Sequence, residues 1–302
     1  MVVNLVARAA TPADVERMIA PLDQQFIFGK GRRISLAQRF PAVYSRDNAG
    51  NLFLIEENGE VLTCLACKRF SWFCDGVSWN GAMIGAVYTS PQRRGEKLAS
   101  RLLELTAQTL RERGLDFAVL WTDQPAFYAR LGWTAADRGV LGEFEGDAGN
   151  AESGSEIMKM PAQEGDTFRI ERMRQRWCRC LTPRRSGDYR QLPPPAEAVQ
   201  LCAWDAAPER AAYALVGNAG DTGILYEMIG HPDGFAVLWP AACRRFRRIV
   251  VNDVNGSPSH RWLVQNTGLA WQEKPLAMWL PLSAKTNMAL VAHWYIPYFD
   301  RI

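Results

Sequence analysis

The sequence predicts a mixed α/β protein made of two tandem domains, each with a mixed central sheet flanked by helices. Its 302 residues fit two domains of about 100 to 200 residues each. Residues 146–166 are rich in glycine, serine and acidic side chains, a composition typical of a linker. The predicted elements after this segment follow the same order as those before it. We therefore expect domains at residues 1–145 and 167–302.

Composition excludes several classes of protein. The chain is 48% hydrophobic and 22% charged, as globular proteins are. No window approaches the ~20 consecutive apolar residues of a membrane span, and the first residues turn polar too early for a secretory signal. The net charge of +3 is too small for sequence-independent nucleic-acid binding. We expect a cytoplasmic protein with no membrane or nucleic-acid partner, and a homo-oligomer is compatible with the sequence.

The cysteines indicate neither a disulfide framework nor a metal site. Seven is an odd number, so a complete set of disulfides is impossible and free buried thiols are favoured. Cys64 and Cys67 form a C-x-x-C motif, but a strand directs them to opposite faces of its sheet. Cys178 and Cys180 lack a second pair at zinc spacing, and the chain has three histidines. No metal is expected.

The first half predicts a strand, a helix, several antiparallel strands and then a βαβαβ unit. Thr11-Pro12 marks a helix start, and Glu57-Asn58-Gly59 is typical of a hairpin turn. The predicted strands are Val2–Arg8, Leu52–Glu56, Val61–Phe70, Ala82–Tyr88, Phe117–Trp121 and one from Trp133. Three helices are predicted. One starts near Pro12, one carries an apolar stripe from Leu98 to Leu110 and ends at Gly114, and a short one spans Pro125–Arg130.

A polar loop joins the strand Ala82–Tyr88 directly to the helix that starts near Leu98. Such a loop brings unpaired backbone N–H groups and the positive end of a helix to one place, which suits a pyrophosphate. Arg93 and Arg94 add charge-assisted donors. The alternative interpretation is an ordinary strand-to-helix turn with solvated arginines.

The loop and the segments after it together resemble the GNAT superfamily of N-acetyltransferases, over residues 1 to about 145. The family carries P-x-x-R-G-x-G-x-A/G at its acyl-CoA loop, and the matching residues are Pro91, Arg94, Gly95 and Ala99. The segment FYARLGW at 127–133 is similar to the family's FY-x-x-x-GF passage. The spacing before the loop resembles the Eis-like branch, through Gly85, Val87, Thr89 and Pro91.

This resemblance implies an acetyl-CoA-dependent N-acetyltransferase whose substrates are acyl-CoA and an amine of a small molecule or peptide. Attack of the amine on the thioester would be direct. The implied cofactor-binding residues are Val87, Tyr88 and Thr89 for the pantetheine arm, and Arg93, Arg94, Gly95, Glu96, Lys97, Leu98, Ala99 and Ser100 for the pyrophosphate loop. Lys97 departs from the family's central glycine, and its side chain either crowds the phosphates or binds them as a cation.

The resemblance also implies the catalytic groups. Tyr128 matches the tyrosine that protonates the departing CoA thiolate; packing of its ring under the sheet is the alternative. The strand Ala82–Tyr88 contains no acid to serve as the base. Asp123 is one candidate base, with an exposed loop carboxylate as its alternative. The C-terminal carboxylate at Ile302 is another, since Eis-like enzymes are thought to use their chain terminus.

The second half is predicted to be a degenerate copy of the first. A hairpin at 217–221, a helical run at Phe235–Phe246, a strand at Ile249–Val254, a helix near Ser259–Asn266 and a strand at Met278–Leu282 repeat the element order. The chemistry is missing, because Asp233 stands in the loop and no tyrosine matches Tyr128. We expect this copy to stack on the first. Glu227 is either a relic of a base or an ordinary strand residue.

Other functions remain open at this point. A non-catalytic acyl-CoA-binding or interaction protein is the main alternative, favoured by Lys97 and by the strand without an acid. The arginines within 169–190 and 244–248 suit RNA binding, although solvated faces or ion pairs between domains explain them better. Trp72 and Trp79 either line an acceptor pocket or pack in the core.

Overall fold

Residues 5–146, 156–159, 164–204, 209–292 and 294–302 are described by the structure, a computed structural model. In the first half the strands are β1 (Ala7–Ala9), β2 (Leu52–Glu57), β3 (Glu60–Cys74), β4 (Val77–Thr89), β5 (Phe117–Leu120), β6 (Thr134–Ala135) and β7 (Gly139–Glu145). The helices there are α1 (Asp14–Phe26), α2 (Leu36–Arg39), α3 (Leu98–Glu112) and α4 (Pro125–Ala129).

The second half begins with a short strand and a helix. Its strands are β8 (Glu156–Lys159), β9 (Cys180–Leu181), β10 (Ala198–Trp204), β11 (Ala212–Ala219), β12 (Thr222–Gly230), β13 (Arg248–Val254), β14 (Ala270–Glu273) and β15 (Met278–Pro281). Its helices are α5 (Glu164–Trp177), α6 (Pro232–Cys243), α7 (Pro258–Asn266) and α8 (Met288–Val291). None of the helices in the described ranges is long and apolar enough to cross a membrane.

The strands form two mixed sheets flanked by helices, as the predicted fold class requires. The first sheet has the order β1-β2-β3-β4-β5-β15-β6, with β9 added to β3. The second has the order β14-β7-β13-β12-β11-β10-β8. In each sheet one parallel pair interrupts antiparallel neighbours, β4 with β5 and β12 with β13. The two halves therefore share an architecture, and the repeated element order is confirmed.

Each sheet contains strands from the other half of the sequence: the first sheet takes β9 and β15 from the second half, and the second sheet takes β7 from the first half. Strand β7 pairs with β13 and β14 in the second sheet. Strand β15 pairs with β5 and β6 in the first sheet. The predicted strand at Met278–Leu282 thus exists but belongs to the first sheet, and the strand exchange ties the two sheets together. The domain boundaries at residues 145 and 167 stay a prediction.

Several predicted elements meet the edges of the described ranges. The predicted strand Val2–Arg8 appears as β1, and its residues 2–4 lie outside the described residues. Strand β8 and the first residues of α5 fall within the predicted linker 146–166, whose residues 147–155 and 160–163 lie outside the described residues. The Asn58-Gly59 hairpin is confirmed, with φ of 51° and 83° at the two turn residues.

Apolar side chains pack on both faces of the first sheet. One cluster joins α3 and α4 to the sheet and includes Leu102, Leu110 and Tyr128. A second cluster packs α1 and α2 against the other face. Cys64 lies in the second cluster and Cys67 in the first, so the two thiols do point to opposite faces and are buried.

A buried aromatic cluster fills the space where β15 joins the first sheet. Trp72 and Trp79 are 0% and 5% exposed, and the Trp294 ring contacts both of them edge-on. Phe117 and Trp279 complete the cluster. Of the two interpretations of Trp72 and Trp79, the structure favours core packing over an acceptor pocket.

The expectation of free thiols is wrong for two cysteines. Cys74, at the end of β3, and Cys180, in β9, form a disulfide across 106 positions of sequence. Strand β9 reaches β3 only in the folded chain, so sequence spacing cannot indicate this pair. Five cysteines are free: Cys64, Cys67, Cys178, Cys202 and Cys243. No cluster of potential metal ligands occurs in the part of the chain that the structure describes.

Candidate functional site

Strands β4 and β5 separate along their length and leave an opening in the first sheet. Their parallel register runs only from Gly81 opposite Phe117 to Met83 opposite Val119. Strand β4 then continues to Thr89, paired with β3 alone within the described residues. The backbone groups of β4 that face away from β3 are therefore available to a ligand. The predicted residues Val87, Tyr88 and Thr89 lie on this stretch.

A β-bulge lies in the same stretch of β4. Ala66 pairs with Gly85 and Cys64 with Tyr88, so Ala86 and Val87 both face the single residue Leu65. Ala86 has a φ of 49°, which costs a non-glycine residue about 1–2 kcal/mol. Bulges bend a strand and often lie beside functional sites. This one lies just beyond Met83, the last residue of β4 that pairs with β5.

The loop after β4 leads directly into the uncapped start of α3. A short 3₁₀ turn at Pro91–Arg93 is followed by Gly95 at φ 90° and by Lys97, the N-cap residue, at φ 59°. Among the described residues, no side chain caps the first N–H groups of α3, and its first turn carries no acidic residue. These N–H groups belong to Leu98, Ala99 and Ser100. A helix start whose N–H groups have no side-chain cap attracts an anion.

The cations of this loop differ in their partners. The Arg93 guanidinium lies 2.7 Å from Glu57 and 2.8 Å from Glu96, so two carboxylates already neutralise its charge. Arg94 is exposed and donates a hydrogen bond to Gln25 at 3.3 Å. Arg94 and the exposed Lys97 have no carboxylate partner within the described ranges. They are thus the loop cations whose charge remains for a ligand.

Tyr128 lies on α4, beside the end of β5. Its ring packs edge-on against Phe127 and Trp133, and the residue is 8% exposed. Burial, with a smaller effect from the charge of Asp123, raises the pKa of Tyr128 to about 12. The phenol therefore keeps its proton at neutral pH. Asp123 itself is exposed, in the loop between β5 and α4.

Ile302, the last residue of the sequence, lies against the bulged part of β4. A Cβ atom at Gly85 would be 2.9 Å from the main-chain oxygen of Ile302 and 3.0 Å from its carbonyl carbon. The Ile302 side chain also packs against the aromatic cluster and against the α1 side of the first sheet. The structure therefore places a main-chain oxygen of Ile302 at the opening between β4 and β5, on the strand that contains no acid.

Buried ion pairs anchor the segment that carries Ile302. The Arg184 guanidinium lies 2.6 Å from Asp300 and 2.6 Å from Glu227, and all three groups are buried. Burial alone would raise the pKa of Asp300, but the guanidinium groups of Arg184 and Arg174 hold it below its ordinary value. Asp300 therefore stays ionised, and β12 of the second sheet holds the end of the chain through Arg184.

Arg301 supplies a second anchor. Its guanidinium lies over the Trp121 ring, 4.8 Å from the ring centroid, and donates hydrogen bonds to the carbonyl of Ile296 and the side chain of Asn252. Trp121 directly follows β5. The second half of the chain thus positions the last residue in the opening of the first sheet, a role that sequence reasoning missed.

The second half lacks the groups of the first-half site. Asp233 in the first turn of α6 forms an ion pair with Arg210, and the His231 ring accepts a hydrogen bond from the Asp233 N–H. Glu227 accepts two hydrogen bonds from Arg184 and one from Tyr213. Of the two interpretations of Glu227, the structure favours a structural strand residue. Arg174 and Arg184 are buried in ion pairs within the second half of the chain, and these pairs are neither solvated nor between the two predicted domains.

Comparison with known proteins agrees with this architecture. Residues 6–136 match the model of the acetyltransferase (GNAT) domain. A probable N-acyltransferase from Enterococcus faecalis has a TM-score of 0.71 and 14% identity, covering 92% of this chain and 73% of that one. Eis1 from Mycobacterium abscessus has a TM-score of 0.60 and 12% identity, covering 92% and 74%. A tandem GNAT protein from the clavulanic acid biosynthesis pathway has a TM-score of 0.57 and 10% identity, covering 93% and 99%.

These matches define the class of protein. The chain has the fold of tandem GNAT proteins, and its residues 6–136 match the GNAT acetyltransferase domain. The predicted resemblance is therefore confirmed. The structures named above are all below 25% identical to this chain and show the fold alone. No curated protein matches the sequence.

Proposed function

We propose that this protein is an acetyl-CoA-dependent N-acetyltransferase whose reaction takes place at the opening between β4 and β5. The observation that carries the proposal is the combination of a free strand edge on β4 with an uncapped α3 that starts beside it. Acyl-CoA has a chain of amides joined to a diphosphate, so the strand edge and the helix start suit its two parts. The acceptor is an amine of a small molecule or peptide.

The loop and strand residues have distinct roles in binding. Backbone groups of Val87, Tyr88 and Thr89 pair with the amides of the pantetheine arm. The N–H groups at the start of α3 bind the diphosphate, where Arg94 and Lys97 add positive charge. Gly95 provides the positive φ that turns the chain into α3, while Arg93 and Glu96 brace the loop as an ion pair.

Tyr128 stabilises the leaving thiolate. A phenol with a pKa of about 12 is a weaker acid than a thiol of pKa about 8.5, so complete proton transfer to sulfur is uphill. Donation of a hydrogen bond to the developing negative charge is still favourable, and such bonds contribute about 1.5–3 kcal/mol. Tyr128 therefore acts mainly as a hydrogen-bond donor in the transition state.

The carboxylate of Ile302, in the 302-residue chain, is the base that we propose. It accepts the proton that the amine nitrogen loses as the new bond to the acyl carbon forms and the carbon–sulfur bond breaks. Its support is the position of Ile302 against Gly85, on the same strand as Tyr88. Asp123 is the other candidate, supported by its electrostatic effect on Tyr128.

The experiment that tests this function is turnover of acetyl-CoA with a panel of amines, read as release of free thiol and confirmed by the mass of the acylated product. We expect amine-dependent thiol release that Arg94→Glu strongly weakens. The competing function is a non-catalytic acyl-CoA-binding protein, favoured by the strained Lys97 in place of a glycine. Binding of acetyl-CoA without thiol release for any amine would support that alternative.

A further inference from the structure

The second sheet contains an opening of its own, between β12 and β13. Their parallel register ends at Leu225 opposite Val251, while β12 continues to Gly230. A bulge at Tyr226 interrupts the pairing of β12 with β11 at the same level. Beyond it, the backbone groups of β12 that face away from β11 have no strand partner within the described residues. The second half therefore has an opening between two parallel strands like that of the first half, but without the loop that follows β4 in the first half.

A cavity of about 430 Å³ lies in this opening between β12 and β13. The volume lies within the range of small-molecule sites, about 300–1,000 Å³. Its apolar lining includes Trp177, Leu225, Met228, Phe235, Val251 and Tyr295. Glu227, Met228, Ile229 and Gly230 of the free β12 edge line it as well. An occupant therefore meets an apolar wall and unpaired backbone groups.

The charged groups around this cavity leave an excess of positive charge. Arg138 and Arg261 line the cavity and are exposed, and neither has a carboxylate partner in the part of the chain that is described. A third lining arginine, Arg179, is already paired with Asp75. The cavity is thus edged by two cations whose charge remains for a ligand.

The two acidic residues that line the cavity, Glu227 and Asp253, already accept hydrogen bonds from other groups of the protein. Glu227 is held by Arg184 and Tyr213. Asp253 accepts hydrogen bonds from the hydroxyl of Ser259 at 2.6 Å, from Ser257 at 2.9 Å and from a backbone N–H. Neither carboxylate therefore needs a cationic ligand, and the cavity favours an anion.

The chemistry of α6 argues against CoA as this anion. The first turn of α6 carries Asp233, whose N–H is already bonded to His231. A diphosphate would meet a carboxylate there instead of free N–H groups. The ligand should therefore combine an apolar body, an amide for the β12 edge and one carboxylate for the two arginines.

We propose that the cavity between β12 and β13 is a second ligand site, which binds an N-acyl amino acid. The acyl chain packs against the apolar wall, and the amide pairs with the free edge of β12. Arg138 and Arg261 bind the carboxylate. This site is separate from the opening between β4 and β5 and does not depend on the function proposed for it.

The test is calorimetric titration of the full chain with N-hexanoylglycine, in the presence and absence of saturating acetyl-CoA. We expect binding at one site that acetyl-CoA does not displace. N-hexanoylglycinamide, which lacks the carboxylate charge, should bind at least about tenfold more weakly. Arg138→Gln combined with Arg261→Gln should lower the affinity for N-hexanoylglycine by a similar factor. Both side chains are exposed, so the fold should tolerate the changes.

Arg247→Gln is the matched control, because Arg247 is exposed but does not line the cavity. It should leave the affinity unchanged. Absence of binding at millimolar ligand, equal binding of the amide, displacement by acetyl-CoA, or unaltered affinity in the double variant would each overturn the proposal.

Discussion

Gly85, on β4, lies against Ile302, whose carboxylate is the proposed base. The variant Gly85→Ala therefore tests the role of Ile302. The added Cβ would lie 2.9 Å from the main-chain oxygen of Ile302 and 3.1 Å from its Cγ1. Ordinary contacts between such atoms are about 3.5–4.0 Å, so Ile302 must move by roughly 0.5–1 Å. A displacement of about 1 Å at a reacting group can cost ~100-fold in rate. We expect turnover to fall about 10- to 100-fold.

The assay is thiol release under saturating acetyl-CoA and the best amine of the panel, with acetyl-CoA affinity measured separately by calorimetry. Affinity should change by less than about threefold, because the diphosphate binds at the start of α3. Gly187→Ala is the control, since a Cβ there meets nothing within 4 Å. Full turnover by Gly85→Ala would refute the assignment of Ile302. Loss of turnover in Asp123→Asn alone would move the base to Asp123.

Three further predictions concern the two halves of the chain and the acyl-CoA loop. Arg94→Glu should weaken acetyl-CoA binding strongly and Asp233→Ala should not, as measured by calorimetry; equal losses would contradict a single cofactor site in the first half. Lys97→Gly should relieve the strain of the positive φ and raise the free energy of unfolding by about 1 kcal/mol, as measured by urea denaturation. In the same variant, acetyl-CoA binding should stay similar or weaken somewhat, and it should depend less on salt. Tenfold tighter binding would mean that Lys97 blocks the site. Tyr128→Phe should keep cofactor affinity and slow turnover about 10- to 100-fold. Because the pKa of Tyr128 is about 12, its ionisation should cause no alkaline loss of wild-type kcat/KM below about pH 11. A loss below about pH 11 that disappears in Tyr128→Phe would contradict this role.

The sequence was sufficient for the elements whose signals are local. Asn58-Gly59 marks a turn because both residues tolerate positive φ, and the apolar spacing from Leu98 to Leu110 marks one face of α3. Tyr128 follows a proline that starts a short helix, so its place beside the end of β5 could also be predicted. Each of these depends on neighbours within a few positions along the chain.

The remaining features depend on partners that are distant in sequence. An apolar run such as Met278–Pro281 indicates a strand, but nothing in its pattern specifies pairing with β5 instead of β13. The disulfide between Cys74 and Cys180 and the ion pair between Arg184 and Asp300 likewise join segments more than 100 positions apart. The strain at Ala86 has no sequence signal, because alanine rarely adopts positive φ.

The contact of Ile302 with β4 did leave one sequence signal. Gly85 interrupts the otherwise apolar run Ala82–Tyr88, and a glycine within a strand often marks a close approach of other backbone. The approaching segment could not be identified, since the fold alone brings the end of the chain to this strand.

A crystal structure of the 302-residue protein with acetyl-CoA tests the proposed reaction site most directly. We expect the diphosphate at the N–H groups of Leu98, Ala99 and Ser100, and the pantetheine amides on the free edge of β4. The thioester sulfur should lie about 3–4 Å from the Tyr128 hydroxyl, with the Ile302 carboxylate near the acyl carbon. Acetyl-CoA bound between β12 and β13, or a sulfur remote from Tyr128, would contradict the assignment.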